Sequence, residues 1–187
     1  MEVQWRAFPL HPEIPPEGVT LERLFAGRNV DIPGVLARLK KAAEEAGLPL
    51  GERKMSFNSR LAQELGKWAE EKGRGDEFHD AVFRAYFVGG KNIGKKAVLI
   101  ELAKKVRLPG KEAGEILESR AFREAVDADW KLCMEMGITA VPTFMIDHQS
   151  AVGAQPYEVL EQFLENNGVE KRGIRSQESG KGAVPEE

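Results

Sequence analysis

The sequence predicts an α/β protein in which many helices pack on a small mixed sheet. Apolar and polar residues alternate with period two in residues 3–8, "VQWRAF". A helical period of about 3.6 residues then runs through the middle of the chain, and period two returns at Thr143 in "TFMID". Strand segments on both sides of a long helical stretch are expected to meet in one thin sheet that the helices cover.

About six helices are expected between the two strand segments, after an extended loop at residues 11–20 that holds three prolines. The apolar positions that mark these helices recur at helical spacing, and a glycine or proline follows most of the groups. The groups are Val35, Leu36, Leu39, Ala42 and Ala46; Leu61, Leu65 and Trp68; Phe78, Val82 and Tyr86; Val98, Leu99, Leu102 and Val106; Ile116 and Leu117; and Phe122, Val126, Trp130 and Cys133. The predicted N-caps of the second, third and sixth helices are Asn58, Asp76 and Ser119.

The C-terminal part is predicted to be a hairpin followed by one more helix. "TFMID" is expected to be a strand, "HQS" a turn and "AVGA" a short partner strand, which places Thr143–Ile146 and residues 151–152 in the sheet. "PYEVLEQFLENN" is an amphipathic pattern with Pro156 at the first helical position. Residues 168–187 are polar and glycine-rich without periodicity, so they are expected to form a disordered tail.

Composition excludes several classes of function. The 187 residues, 42% hydrophobic and 30% charged, are ordinary for a soluble domain with a sizeable core. The net charge is −3 and the sequence has no basic stripe with interleaved aromatics, so no nucleic-acid partner is expected. No apolar run approaches about 20 residues, and the first ten residues lack the pattern of a signal peptide. We therefore expect no membrane partner and a cytoplasmic location.

Cysteine and histidine chemistry is sparse in this sequence. Cys133 is its only cysteine, so it contains neither a disulfide pair nor a Cys-x-x-Cys. Cys133 lies on the apolar face of its predicted helix, which favours a buried small side chain over a nucleophile. His11, His79 and His148 lie far apart in the sequence, and we expect His79 on a helix surface and His148 in a turn. The sequence thus predicts no catalytic residue and no metal site.

Four stretches in order carry a resemblance to a known family: "WRAFPLHPEIPPEG", "FRAYFVGGKNIGKKAVLIELAKKV", "GITAVPTFMID" and "AVGAQPYEVLEQFL". Together they resemble the DsbA-like thioredoxin-fold proteins of the FrnE type, over roughly residues 3–166. The resemblance implies a thioredoxin-like fold whose two halves are residues 1–30 and 138–167, with a helical domain at residues 31–137 inserted between them.

The proline in "GITAVPTFMID" is the candidate site. The family carries a cis-proline at the start of its third sheet strand, and Val141–Pro142 matches it, with Ala140 where a glycine is common. Proline cannot donate to a strand ladder, so it belongs at the first residue of a strand, and a cis bond is accessible mainly before proline. Such a turn leaves the backbone N–H and C=O of Val141 facing outward, where an extended peptide could pair with them. Ala140, Val141 and Pro142 are therefore the predicted substrate-binding residues.

The redox centre of the family has no counterpart among these residues. In the family, a Cys-x-x-Cys lies at the N-terminus of the first helix, where the helix stabilises a thiolate and the second Cys resolves the mixed disulfide. Met1 falls just before what resembles the second strand of the family. We therefore expect a sequence that is truncated at its N-terminus and redox-inactive in this form. Residues 3–8 would then expose an unpaired strand edge, through which a homodimer is expected.

Three functions stay open at this point. The first is a thiol–disulfide oxidoreductase of the DsbA-like family whose dithiol lies outside this sequence. The second is a non-catalytic module that binds an extended peptide or protein through the cis-proline edge. The third is a glutathione-dependent isomerase or transferase, because relatives with the same insertion use Ser in place of the first Cys to position the sulfur of glutathione. Glutathione is the cofactor of the third reading, and the other two need none.

Overall fold

The computed structural model describes residues 3–169, and within them it contains eight α-helices and four short strands. The strands are β1 (Val19–Thr20), β2 (Met55–Ser56), β3 (Thr143–Ile146) and β4 (Gln149–Val152). The helices are α1 (Leu21–Leu24), α2 (Ile32–Glu45), α3 (Arg60–Glu71), α4 (Gly75–Phe83), α5 (Lys96–Lys105), α6 (Gly110–Ser119), α7 (Arg123–Glu135) and α8 (Tyr157–Asn166). One π-helical turn, Arg84–Val88, continues α4. The predicted disordered tail, apart from its first two residues, lies outside the described residues.

The helices form where the apolar spacing predicts them, but their caps differ. The N-cap of α3 is Ser59, one residue after the predicted Asn58, although the Asn58 side chain accepts a hydrogen bond from the Arg60 N–H at 2.9 Å. Asp76 instead lies inside the first turn of α4. Ser119 ends α6 and donates to the Glu115 carbonyl at 2.8 Å, so its prediction as the cap of α7 is wrong.

The strands of the described residues form two separate two-stranded antiparallel sheets. In the first, Val19 pairs with Ser56, a contact that sequence patterning did not predict because each strand has only two residues. In the second, β3 and β4 pair along their whole length, with the turn at Asp147 and His148. The predicted hairpin is confirmed, and its second strand starts two residues earlier than expected.

Residues 3–8 are not a strand, which corrects the expectation drawn from their alternation. Their backbone bonds to side chains of helices instead of to a neighbouring strand. The Ala7 N–H donates to the Asp129 carboxylate at 2.9 Å, and the Gln63 amide donates to the Phe8 carbonyl at 2.9 Å. Side chains of α3 and α7 thus satisfy polar backbone groups of this segment. The expected unpaired edge is therefore absent from this segment, and the homodimer stays a prediction.

Contacts divide the described residues into two compact units. One comprises residues 4–139, and the other comprises Val3 with residues 140–169. These boundaries differ from those of the domains inferred from the sequence. The division into two thioredoxin-like halves and an inserted helical domain stays a prediction.

The hydrophobic core of the larger unit lies among α3, α4, α5 and α6. Its largest fully buried apolar side chains include Leu65, Trp68, Phe78, Leu99 and Leu117, all from positions that the helical spacing marked as apolar. Each helix presents one apolar stripe to its neighbours, so the four stripes close one core. None of the helices in the described part of the chain is both long and apolar enough to cross a membrane.

A buried carboxylate joins α3 to the segment between α6 and α7. Glu64 accepts two hydrogen bonds from the Arg120 guanidinium, each at 2.6 Å, and a third from Arg60 Nε at 2.6 Å. Burial opposes ionisation of this carboxyl, but the bonds from Arg120 and Arg60 outweigh it and hold the pKa of Glu64 below its ordinary value. Glu64 is therefore a charged residue in the interior whose charge is matched by two guanidinium groups.

Candidate functional site

The predicted substrate-binding residues form a bend that enters β3. The Val141–Pro142 peptide bond is cis. Hydrogen bonds hold both neighbours of Val141. The Thr143 hydroxyl donates to the Ala140 carbonyl at 2.7 Å, and the Gly153 N–H donates to the Pro142 carbonyl at 2.8 Å. The structure thus fixes the backbone on each side of Val141 through the hairpin.

Val141 itself presents unused backbone groups. The residue is 45% exposed. Neither its N–H nor its C=O makes a hydrogen bond to any of residues 3–169. An unpaired donor and acceptor on an exposed residue beside a strand can pair with an extended chain, as strands do at a sheet edge. Phe144 and Val152, on the same hairpin, are exposed apolar side chains that an added segment could cover.

Cys133 is a buried residue of α7 and not part of an exposed site. Its thiol donates to the Ala7 carbonyl at 3.6 Å. Burial, and to a smaller extent the Asp129 carboxylate, raises the pKa of the Cys133 thiol above its ordinary value, against a smaller effect of Arg6. Because the thiolate is the nucleophile, a buried thiol with a raised pKa reacts poorly. The prediction of a buried small side chain is confirmed.

The three histidines lie in three different settings. His11 is within 3.3 Å of the Glu13 carboxylate, and His148 lies in the exposed turn between β3 and β4. His79 was expected on a helix surface, but its ring lies between those of Trp5 and Phe83, and its Nε2 is buried without a partner in the described residues. In that part of the chain no group of three or more His, Cys, Asp or Glu side chains is placed to hold a metal ion.

Asp129 is a structural residue that sequence reasoning missed. It is buried, and its carboxylate lies 3.1 Å from the Arg6 guanidinium and 2.9 Å from the Lys67 ammonium, besides accepting from the Ala7 N–H. A signal was present in the sequence: Asp129 lies four residues before Cys133, on the apolar face of α7. An acidic residue on a buried face requires partners, and here they come from distant parts of the chain.

The order of elements and the small sheets define a helix-dominated α/β protein. Residues 1–165 match the model of the DSBA-like thioredoxin domain, and the chain belongs to this family. The fold class inferred from the sequence is thereby confirmed.

The chain is similar to several known proteins, among them the following three. YwbO of Bacillus subtilis (strain 168) is 29% identical over 178 residues, which is 91% of this chain and 84% of YwbO. The ClpXP adapter protein SpxH of the same organism is 32% identical over 107 residues, which is 52% of this chain but only 36% of SpxH. The crystal structure of the probable DsbA oxidoreductase SCO1869 from Streptomyces coelicolor superposes with a TM-score of 0.80 at 26% identity, covering 97% of this chain and 83% of that one.

Proposed function

We propose that this DsbA-like chain binds an extended polypeptide by pairing it with the backbone of Val141. The observation that carries the proposal is that Val141, an exposed residue at the entrance to β3, has an N–H and a C=O without partners in residues 3–169. Pairing through the main chain gives affinity with little dependence on sequence. The bonds that hold Ala140 and Pro142 support the proposal, because a fixed backbone loses less entropy on binding.

The relatives support binding in two different ways. SpxH is named as an adapter protein, which favours the reading without catalysis. SCO1869 is described as a probable oxidoreductase, which favours the reading in which bound polypeptide is a redox substrate. Binding of a polypeptide at Val141 is compatible with both readings, so it can be tested before they are separated.

A titration with a fluorescein-labelled peptide of alternating Thr and Val tests the proposal by anisotropy. Val141→Asp places a charge beside the pairing groups and is expected to weaken binding about tenfold. Val159→Asp on α8 is the matched control, since Val159 is 46% exposed against 45% for Val141, and it should leave binding unchanged. Equal affinities for the two variants would contradict the proposal.

Modified peptides test the main-chain pairing itself. Successive residues of an extended chain point their N–H groups to opposite edges, so only one alternate set of amides faces the protein. N-methylation of one set should abolish binding, while methylation of the other set should leave it intact. Equal binding of both methylated peptides would show that the hydrogen bonds at Val141 are not used.

The proposal assigns no redox step to Cys133. In a disulfide-reduction assay the purified chain and its Cys133→Ser variant should give equal rates near background, because a buried thiol with a raised pKa attacks slowly and the sequence has no second thiol. The native thiol should also react with a thiol reagent at least about a hundred times more slowly than in the unfolded chain. Turnover that disappears in Cys133→Ser would overturn this assignment.

The more specific functions inferred from the sequence remain separate proposals. An oxidoreductase needs a dithiol that this sequence does not contain, and the FrnE type rests on the sequence motifs alone. A glutathione-dependent isomerase or transferase predicts that glutathione displaces the labelled peptide, so glutathione serves as the competitor in the same titration. The cytoplasmic location stays a prediction.

A further inference from the structure

Five rings of the larger unit form a continuous row, which we call the aromatic row. It runs from Trp5 to His79, with 4.3 Å between ring centroids, and from His79 to Phe83, with 4.5 Å. Phe87 follows at 5.5 Å from Phe83, and Tyr86 lies 4.7 Å from Phe87. Three of these residues are spaced by four along α4 and the π-helical turn, so they share one helix face.

One end of the aromatic row already holds a cation. The Arg53 guanidinium lies 5.3 Å from the centroid of Tyr86 and 5.4 Å from that of Phe87. It also donates to the Tyr86 hydroxyl at 3.0 Å. These distances are those of cation–π interactions, in which a ring face attracts a positive charge. The chemistry of this row is therefore suited to guanidinium.

The other end of the row has exposed rings and no cation. Trp5 and Phe83 are each 50% exposed. Within residues 3–169, no Lys or Arg lies over either ring. Lys67 is close by, but its ammonium donates to the Trp5 carbonyl at 3.1 Å and pairs with the carboxylates of Glu70 and Asp129. His79 covers one face of each ring, and each of the two residues stays half exposed.

Carboxylates flank this exposed end. Asp76 and Asp80 are four residues apart on α4, and the positions of His79 and Phe83 lie beside them on the helix surface. Asp80 pairs with Arg84 at 2.7 Å, whereas Asp76 makes no ion pair in the described part of the chain. Two half-exposed aromatic rings near a carboxylate that makes no ion pair in the described residues favour a positively charged occupant.

We propose that Trp5 and Phe83, with Asp76, bind an Arg or Lys side chain of a partner polypeptide. His79 does not oppose this occupant. Burial lowers the pKa of His79, although Glu70, Asp76 and Asp80 raise it, and the net shift is downward. The neutral form of the imidazole between the two rings is thus favoured, which limits its repulsion of a cation. The site is formed by residues 4–139 alone and is independent of pairing at Val141.

Calorimetric titration of the full chain with three peptides tests the proposal. The probes are acetyl-Gly-Leu-Arg-Leu-Gly-amide and its analogues with Gln or Glu in place of Arg. The Arg peptide should bind, with an affinity that falls as salt is added, and at least about fivefold more tightly than the Gln peptide. The Glu peptide should bind most weakly. Equal affinity for the Arg and Gln peptides would mean an apolar surface only and would overturn the proposal, as would no binding of the Arg peptide up to millimolar concentration.

Surface variants locate the binding. Phe83→Ser and Asp76→Asn should each weaken the Arg peptide about fivefold or more. The matched controls are Met134→Ser, at a residue 67% exposed on α7, and Glu135→Gln on the same helix, and both should bind like the parent chain. All four substitutions are at positions outside the core, and thermal unfolding verifies that each variant folds. The proposal is wrong if Phe83→Ser binds the Arg peptide as tightly as Met134→Ser does.

Discussion

Replacing Glu64 with Gln is expected to lower the free energy of unfolding by about 3–5 kcal/mol at pH 7. The substitution removes the charge that Arg60 and Arg120 share, and it leaves Arg120 without its carboxylate while the mostly buried Arg60 keeps only Asp127, at 2.7 Å. Breaking a buried pair by removing one partner costs more than the pair contributes, because the remaining charge stays out of water. Urea unfolding of both chains gives the difference. Glu71→Gln, at an exposed position of the same helix, should change the value by less than about 0.5 kcal/mol.

The same variant should show a defined pH dependence. The pKa of Glu64 is lower in the folded chain than in the unfolded chain, so its charge stabilises the fold above the unfolded pKa of about 4.3. That contribution is lost as the pH falls through the lower folded pKa. The difference between parent and Glu64→Gln should therefore be largest near neutral pH and shrink below about pH 4. A difference that grows with acidity would contradict the pairing of Glu64 with the two arginines.

Phe78→Ala is expected to cost about 3–5 kcal/mol of unfolding free energy. Phe78 is 1% exposed in the core between α3 and α5, so its removal takes apolar area from the interior and leaves a cavity. Phe83→Ala on the same helix is the control. Phe83 is half exposed, and its loss should cost about 1 kcal/mol or less. Equal losses in the two variants would show that Phe83 is a core residue, which would also weaken the case for an exposed binding surface.

Sequence patterns predicted those helices and strands whose formation depends on residues that are close together in the sequence. The helices of the larger unit follow from apolar spacing, and the hairpin follows from period two on both sides of a short polar turn. Asp147 takes a left-handed backbone conformation in that turn, which acidic and amide side chains tolerate. Neighbours in the sequence are enough to establish these elements, and so the prediction found them.

The alternation of residues 3–8 shows what a local sequence pattern cannot predict. Alternation predicts an extended backbone, but it does not say what satisfies the N–H and C=O groups of that backbone. Here they bond to Gln63 and Asp129, which lie more than 50 residues away in the sequence. Likewise, the burial of Glu64 depends on Arg120, 56 residues away. Contacts between distant residues carry no periodic signal, so only the structure reveals them.

Of the candidate sites, too, the sequence predicted the part that depends on local residues and missed the part that depends on distant ones. Pro142 marked the entrance to a strand because proline cannot donate to a ladder, and β3 does begin directly after it. The aromatic row gave no such signal: His79 and Phe83 are four apart on one helix, but Trp5 comes from a segment that the sequence assigned to a sheet. An exposed ring cluster assembled from two distant segments is therefore visible only in three dimensions.

The most direct test of polypeptide pairing at Val141 is the behaviour of its amide proton in NMR spectra of the full chain. On titration with the unmodified Thr/Val peptide, the Val141 amide resonance should move downfield and its exchange with solvent should slow, because a new hydrogen bond forms there. The amide of Gly27, which is exposed and also unpaired among the described residues, should change in neither property. A bound peptide that leaves the Val141 amide exchanging as fast as in the free chain would contradict the proposed function.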